Sequence, residues 1–95
     1  MYRDDRFEWD KAKDRANLAN HGLSFHDVRG AFDDPHGLDL PDDRHVEERW
    51  VLIARIPLTT LVVTIVYTER GERDRIISAR RATHAEERTY HAHGG

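Results

Sequence analysis

The 95-residue sequence contains no cysteine, so neither a disulfide framework nor a thiolate metal site is available to it. Long hydrophobic runs are missing too. No window of about 18 apolar residues could span a bilayer and no signal-peptide pattern opens the chain, so a cytoplasmic protein is expected. Lysine is scarce: 13 of the 15 basic residues are arginines, with only Lys11 and Lys13 as exceptions. There is no glycine-rich phosphate loop, no Gly-x-Ser-x-Gly elbow and no acidic cluster around a metal, which leads away from nucleotide hydrolysis and serine chemistry. The net charge of −3 speaks against strong non-specific attraction to nucleic acid.

A chain of this length forms one small domain, residues 1–95, and buries only about 60–70% of its unfolded surface, which favours a shallow surface site over an enclosed cavity. Phe7-Glu8-Trp9 alternates and reads as a short edge strand. Asp10 then caps a helix from Lys11 to about His21, closed by Gly22. Trp9, Ala12, Ala16, Ala19 and Leu23 recur at steps of three and four, so they are expected to form its buried stripe, with Lys13, Asn17 and Asn20 facing away. Ser24 caps a second helix that buries Phe25, Val28 and Phe32 and stops at Asp33-Asp34-Pro35. Residues 36–44 read as a loop with a brief strand at Leu38–Leu40.

From Glu47 the period becomes two, predicting strands over 47–56, 61–68 and 73–80 joined by turns at Pro57–Thr60 and Arg70–Glu72, hence an antiparallel meander. Thr83 and Glu86 have the spacing of a capping box and start a last helix; residues 91–95 read as a frayed tail. The fold class is α+β: a small antiparallel sheet in the order β-α-α-β-β-β-β-α, with helices packed on one side.

Candidate functional residues gather at the last strand–helix junction. Alternation sends Ile76, Ser78 and Arg80 to one face and Ile77, Ala79 and Arg81 to the other, and no acidic residue lies between Arg75 and Ala85. Two guanidinium forks beside a helix N-terminus make a candidate anion site. His84 opens that helix. Glu48 and Arg49 on a strand suit a general base and a phosphate ligand, but cross-strand pairing of Glu48 with Arg75 or Arg80 explains the same residues structurally. His21 serves as a helix C-cap or as a site residue. The histidine spacings fit no metal-ligand pattern, so neither a metal nor another cofactor is expected.

Taken in order, Phe7-Glu8-Trp9-Asp10 with Lys13, Asn17, His21-Gly22 and Ser24-Phe25, then Phe32-Asp33-Asp34-Pro35, Glu48-Arg49-Trp50, and Tyr67-Thr68-Glu69-Arg70 leading into Arg75–Thr83 with Glu86, Arg88 and Tyr90, resemble the BrnT family of toxins from bacterial type II toxin–antitoxin systems. The likeness covers nearly the whole chain. It departs at Asn20, where the family often has lysine, and at Thr59-Thr60, which replace a glycine-arginine turn. The resemblance implies a fold similar to RelE-type ribonucleases and RNA cleavage that arrests translation without a bound cofactor. It also implies a ribbon-helix-helix antitoxin as partner and operator DNA bound only through the toxin–antitoxin complex. On that reading Arg80 and Arg81 stabilise the phosphate, Glu48 serves as base, Lys13 and His21 add charge or proton transfer, and Arg49, Arg75 and His84 bind RNA. The alternative is a non-catalytic module that binds nucleic acid or protein, such as a co-repressor subunit.

Overall fold

The computed structural model describes residues 1–44 and 47–95. Along the chain lie β1 (Tyr2–Arg3), β2 (Phe7–Trp9), α1 (Lys11–His21), α2 (Phe25–Val28) running into a 3-10 turn at Arg29–Asp33, β3 (Leu38–Asp42), β4 (Arg49–Arg55), β5 (Val62–Arg70), β6 (Arg73–Arg81) and α3 (His84–Ala92). The helix ends fall where side chains satisfy orphan backbone groups. Asp10 accepts from the N–H groups of Ala12 and Lys13, and Gly22 takes φ 70°. Ser24 accepts from Asp27 N–H, and both halves of the Thr83–Glu86 capping box are formed.

One six-stranded sheet runs in the order β1-β2-β6-β5-β4-β3. The β4–β5–β6 meander is antiparallel, as is β3 on β4, but β2 pairs with β6 in parallel. The sheet is therefore mixed rather than antiparallel. The antiparallel expectation holds where a short turn dictates the pairing; β2 reaches β6 across most of the chain, and no turn constrains that pair. β2 is not an edge either, because β1 pairs outside it.

Alternation assigns every strand residue to a face. Phe7, Trp9, Leu52, Ala54, Val63, Ile65, Tyr67, Ile76 and Ala79 share the main core with Leu23, Phe25, Val28 and Ala31. The opposite phase, with Ile53 and Val62, packs on Tyr90 of α3. Helical segments thus cover both faces, not one. A bulge in the β5–β6 pairing at Val66/Tyr67 shifts the register, resetting the alternation of β6. Ile76 consequently joins Ala79 and Arg81 on the main-core face, while Ser78 and Arg80 stay on the other. At the chain end, Tyr90 donates to Asp34 (2.6 Å) and Gly95 N–H donates to the Tyr90 carbonyl, so residues 91–95 fold back onto α3 instead of fraying.

The stripe on α1 also differs from expectation. Ala12, Ala16 and Ala19 are exposed and Asn17 is the buried residue. Its amide donates to Leu23 O (2.8 Å) and accepts from Ala79 N–H (3.0 Å). That N–H points from β6 beyond the end of β2, so α1 docks on an open strand edge and needs a polar side chain there more than an apolar stripe. Asn17→Ala leaves two buried backbone groups unsatisfied and is expected to cost about 2 kcal/mol, read as a lower urea midpoint at unchanged slope.

Candidate functional site

At the strand–helix junction the Arg80 fork is occupied by one of the protein's own carboxylates, Glu86. Arg80 donates to Glu86 through Nη1 (2.7 Å) and Nη2 (3.1 Å). Thr83 N–H (2.8 Å) and the Thr64 hydroxyl (3.0 Å) donate to the same carboxylate. The Arg80 hydrogen bond, helped by those of Thr83 and Thr64 and by the Arg80 charge, outweighs desolvation and holds the Glu86 carboxyl at about 2. Arg81 leaves toward the opposite face and is exposed.

On the face shared by Arg80, Tyr90 of α3 packs on Ile53 and Val62 with Leu38 and Val51 beside them, and Glu86 reaches Thr64. Beyond that, one row crosses all six strands. Register sets Arg3 beside Glu8, Glu8 beside Arg75, Arg75 beside Thr68, and Asp42 beside Arg49; pairing of Trp50 with Tyr67 brings Arg49 next to Thr68. All point away from the main core, because their neighbours Tyr2, Phe7, Trp9, Trp50, Tyr67 and Ile76 face it. Arg70 and Arg73 pair one step further along on the same face. At about 4.8 Å per strand, Arg75 and Arg49 stand roughly 10 Å apart.

These arginines are held rather than loose. Arg75 binds Glu8 through Nε (2.6 Å) and Nη2, and Arg3 approaches the other Glu8 oxygen at 3.5 Å. Arg49 donates to Glu47 through Nε (2.9 Å) and Nη2 (2.7 Å), and Arg70 lies 3.6 Å from the second Glu47 oxygen. Arg73 donates to the Asp4 carbonyl (2.6 Å). Glu8 and Glu47 each serve two arginines, so each trio keeps a net positive charge, and a guanidinium with five donors retains free N–H groups toward solvent. Glu8 is 4% exposed. Burial pushes its carboxyl up, but the Arg75 hydrogen bond and charge, then Arg3 and Arg73, outweigh that and hold it below the usual range. On this face the guanidinium groups of Arg75, Arg49 and Arg73 are oriented by Glu8, Glu47 and the Asp4 carbonyl.

Of the residues singled out in the sequence, Arg49, Arg75 and Arg80 share this face. Glu48 lies before β4, not in it, and is exposed; the carboxylates that pair with Arg75 and Arg80 are Glu8 and Glu86, not Glu48. Lys13 and His21 are exposed on α1, about 12 Å apart along its axis. His84 is exposed at the start of α3. Sequence reasoning missed Glu8, Arg3, Thr68, Arg70 and Arg73. The one available signal was a glutamate between two core aromatics in Phe7-Glu8-Trp9, a charge where alternation allows only the far face of a sheet. Among the described residues no three histidine, cysteine or acidic side chains are placed to hold a metal ion, and no helix is long and apolar enough to cross a membrane.

Comparison with known proteins bears on the family and the fold. The chain's structure is similar to the 1.1 Å crystal structure of the Brucella abortus ribonuclease toxin, BrnT, with a TM-score of 0.68, covering 82% of this chain and 96% of that one at 24% identity. At that identity the likeness speaks for the fold. No curated protein sequence matches. The sequence profile of the family described as "Ribonuclease toxin, BrnT, of type II toxin-antitoxin system" matches residues 9–86. With most of its length matched by that profile, the chain belongs to the BrnT family of type II toxin–antitoxin toxins.

Proposed function

We propose that this chain cleaves RNA on the open face of the sheet without a metal ion, and that the observation carrying this reading is the row of held guanidinium groups at Arg3, Arg75 and Arg49, bounded by Arg80. In this reading the 2′-oxygen of a ribose, giving up its proton, attacks the adjacent phosphorus and displaces the 5′-oxygen, which takes a proton from solvent water, leaving a 2′,3′-cyclic phosphate and a 5′-hydroxyl. Negative charge accumulates on the phosphorane oxygens, and preorganised guanidinium donors stabilise it without reorganising. Glu48, an exposed carboxylate in the segment leading into β4, is assigned as the acceptor of the 2′-hydroxyl proton. Arg80 binds a neighbouring phosphate whenever it exchanges Glu86 for RNA.

The toxin acts in the cytoplasm by arresting translation. A ribbon-helix-helix antitoxin neutralises it by laying an acidic segment across the arginine row, and the complex represses the operon from which both are made. Membership of a type II ribonuclease toxin family supports this reading, and the fold it shares with a BrnT crystal structure is consistent with it.

The test is incubation of purified chain with RNA in EDTA, followed by end mapping. New 5′-hydroxyl and cyclic-phosphate ends are the expected result, lost in Glu48→Gln. Intact RNA, or cleavage only after a divalent ion is added, would overturn the reading.

A further inference from the structure

Glu8 has no role in the chemistry above, yet it is an ionised carboxylate almost sealed from solvent. Replacing a buried ion pair by apolar residues is often neutral or stabilising, so stability alone does not account for a charge at this position. Geometry supplies another account. Glu8 sits beneath two guanidinium heads, the half-buried Arg75 on one carboxylate oxygen and the exposed Arg3 near the other. Both Arg75 contacts use Nε and Nη2, which fixes the plane of the fork and leaves its Nη1 edge turned from Glu8.

We propose that Glu8 is a positioning residue for RNA cleavage: it fixes the Arg75 fork so that the free Nη1 edge meets one phosphate of an RNA strand lying across the sheet. The proposal rests on the reading of this face as the site of cleavage. It differs in sign from charge balance alone. A carboxylate beside a phosphate site repels RNA, so removing its charge should tighten binding; if Glu8 aims Arg75, removing its charge should slow the reaction.

Glu8→Gln, Arg75→Ala and the double variant are compared with the wild type. The readouts are single-turnover cleavage over a range of RNA concentrations, binding of a non-cleavable 2′-O-methyl oligonucleotide at several salt concentrations, and a melting curve. Glu8→Gln is expected to lower the maximal rate about tenfold without tightening binding, and the double variant to be no slower than Arg75→Ala alone, since residues acting as a unit are not additive. Arg75→Ala should reduce the salt slope by about one. Should Glu8→Gln fail to fold, Arg75→Lys, which keeps the charge and loses the fork, is expected to show the same loss of rate.

A Glu8→Gln protein with tighter binding and an unchanged rate would overturn the proposal, as would losses that multiply in the double variant. A wild type that binds the oligonucleotide without cleaving RNA overturns the cleavage reading and with it the role of Glu8 in cleavage, whereas a wild type that cleaves while Glu8→Gln cleaves equally fast overturns the role of Glu8 alone. A wild type that does not bind overturns both.

Discussion

Arg49→Ala combined with Arg75→Ala is expected to lower RNA cleavage by about a thousandfold or more. The two guanidinium groups stand on either side of Thr68 in the row that crosses the sheet, and removal of one preorganised donor from a developing oxyanion typically costs about 10²–10³ in rate. Arg75→Ala also strands Glu8, so the pair is best made with Glu8→Gln to avoid an uncompensated buried charge; the melting temperature then serves as control for the fold. Arg81→Ala is the informative comparison. Arg81 leaves β6 on the main-core face, away from the row, so its loss should change the rate by less than the row variant by orders of magnitude. A larger loss in Arg81→Ala than in the row variant would place the reaction at the strand–helix junction and on the wrong side of the sheet for the mechanism proposed above. Growth inhibition on expression, followed with the same variants, should rank them in the same order.

What could be read from the sequence divides along a physical line. Helix caps at Asp10, Ser24 and Thr83, the positive φ of Gly71 in the turn into β6, and the β4–β5–β6 meander are set by residues a few positions apart, and all were expected. Contacts between distant segments were not. Glu8 and Arg75 lie 67 residues apart, and nothing in either segment announces that a three-residue strand will pair in parallel with the last strand. A sheet mixed through β2 and β6, and helices on both faces, follow from that same long-range placement. The bulge in β6 is invisible to period-two counting, which therefore put Ile76 on the face of Arg80. Helical periodicity assigns Asn17 to solvent because it lies off the stripe of Ala12, Ala16 and Ala19. The open N–H of Ala79, a property of the assembled sheet edge, reverses that.

The candidate site was legible in kind more than in place. Arginine in preference to lysine, and the stretch free of acids from Arg75 to Ala85, point to oxyanion binding at the end of β6, where the structure places a carboxylate of the chain itself on Arg80. That carboxylate is Glu86, which the capping-box spacing had assigned only to the backbone of α3. One carboxylate satisfies the helix N-terminus, a buried threonine and the arginine fork together. Read along the chain, each interaction has a separate residue; the fold combines them.

That combination makes Glu86 the second position of large effect. Glu86→Ala removes two charge-assisted hydrogen bonds and leaves the Thr83 N–H and the buried Thr64 hydroxyl without this acceptor. The expected cost is about 3 kcal/mol, below the value for a fully buried pair because Arg80 is partly solvated and screened. The sign of the pH dependence follows from the carboxyl lying at about 2 against an ordinary 4.5. A depressed carboxylate stabilises fully above the unfolded value and loses that contribution as pH falls through the folded one, so the Glu86 share should disappear between about pH 4.5 and 2. Asp4 is held at about 2 by the Tyr2 hydroxyl, the Phe7 N–H and Arg29, and it keeps a parallel dependence that survives in the variant as an internal reference. Urea unfolding at pH 7 and pH 3 measures both. Glu86→Gln keeps the capping geometry but releases Arg80 from its counter-charge, so RNA binding should tighten about tenfold at low salt and by less as salt rises. Weaker RNA binding in Glu86→Gln would mean that Arg80 needs Glu86 to be aimed at all, and would extend to the end of the sheet the positioning role assigned to Glu8.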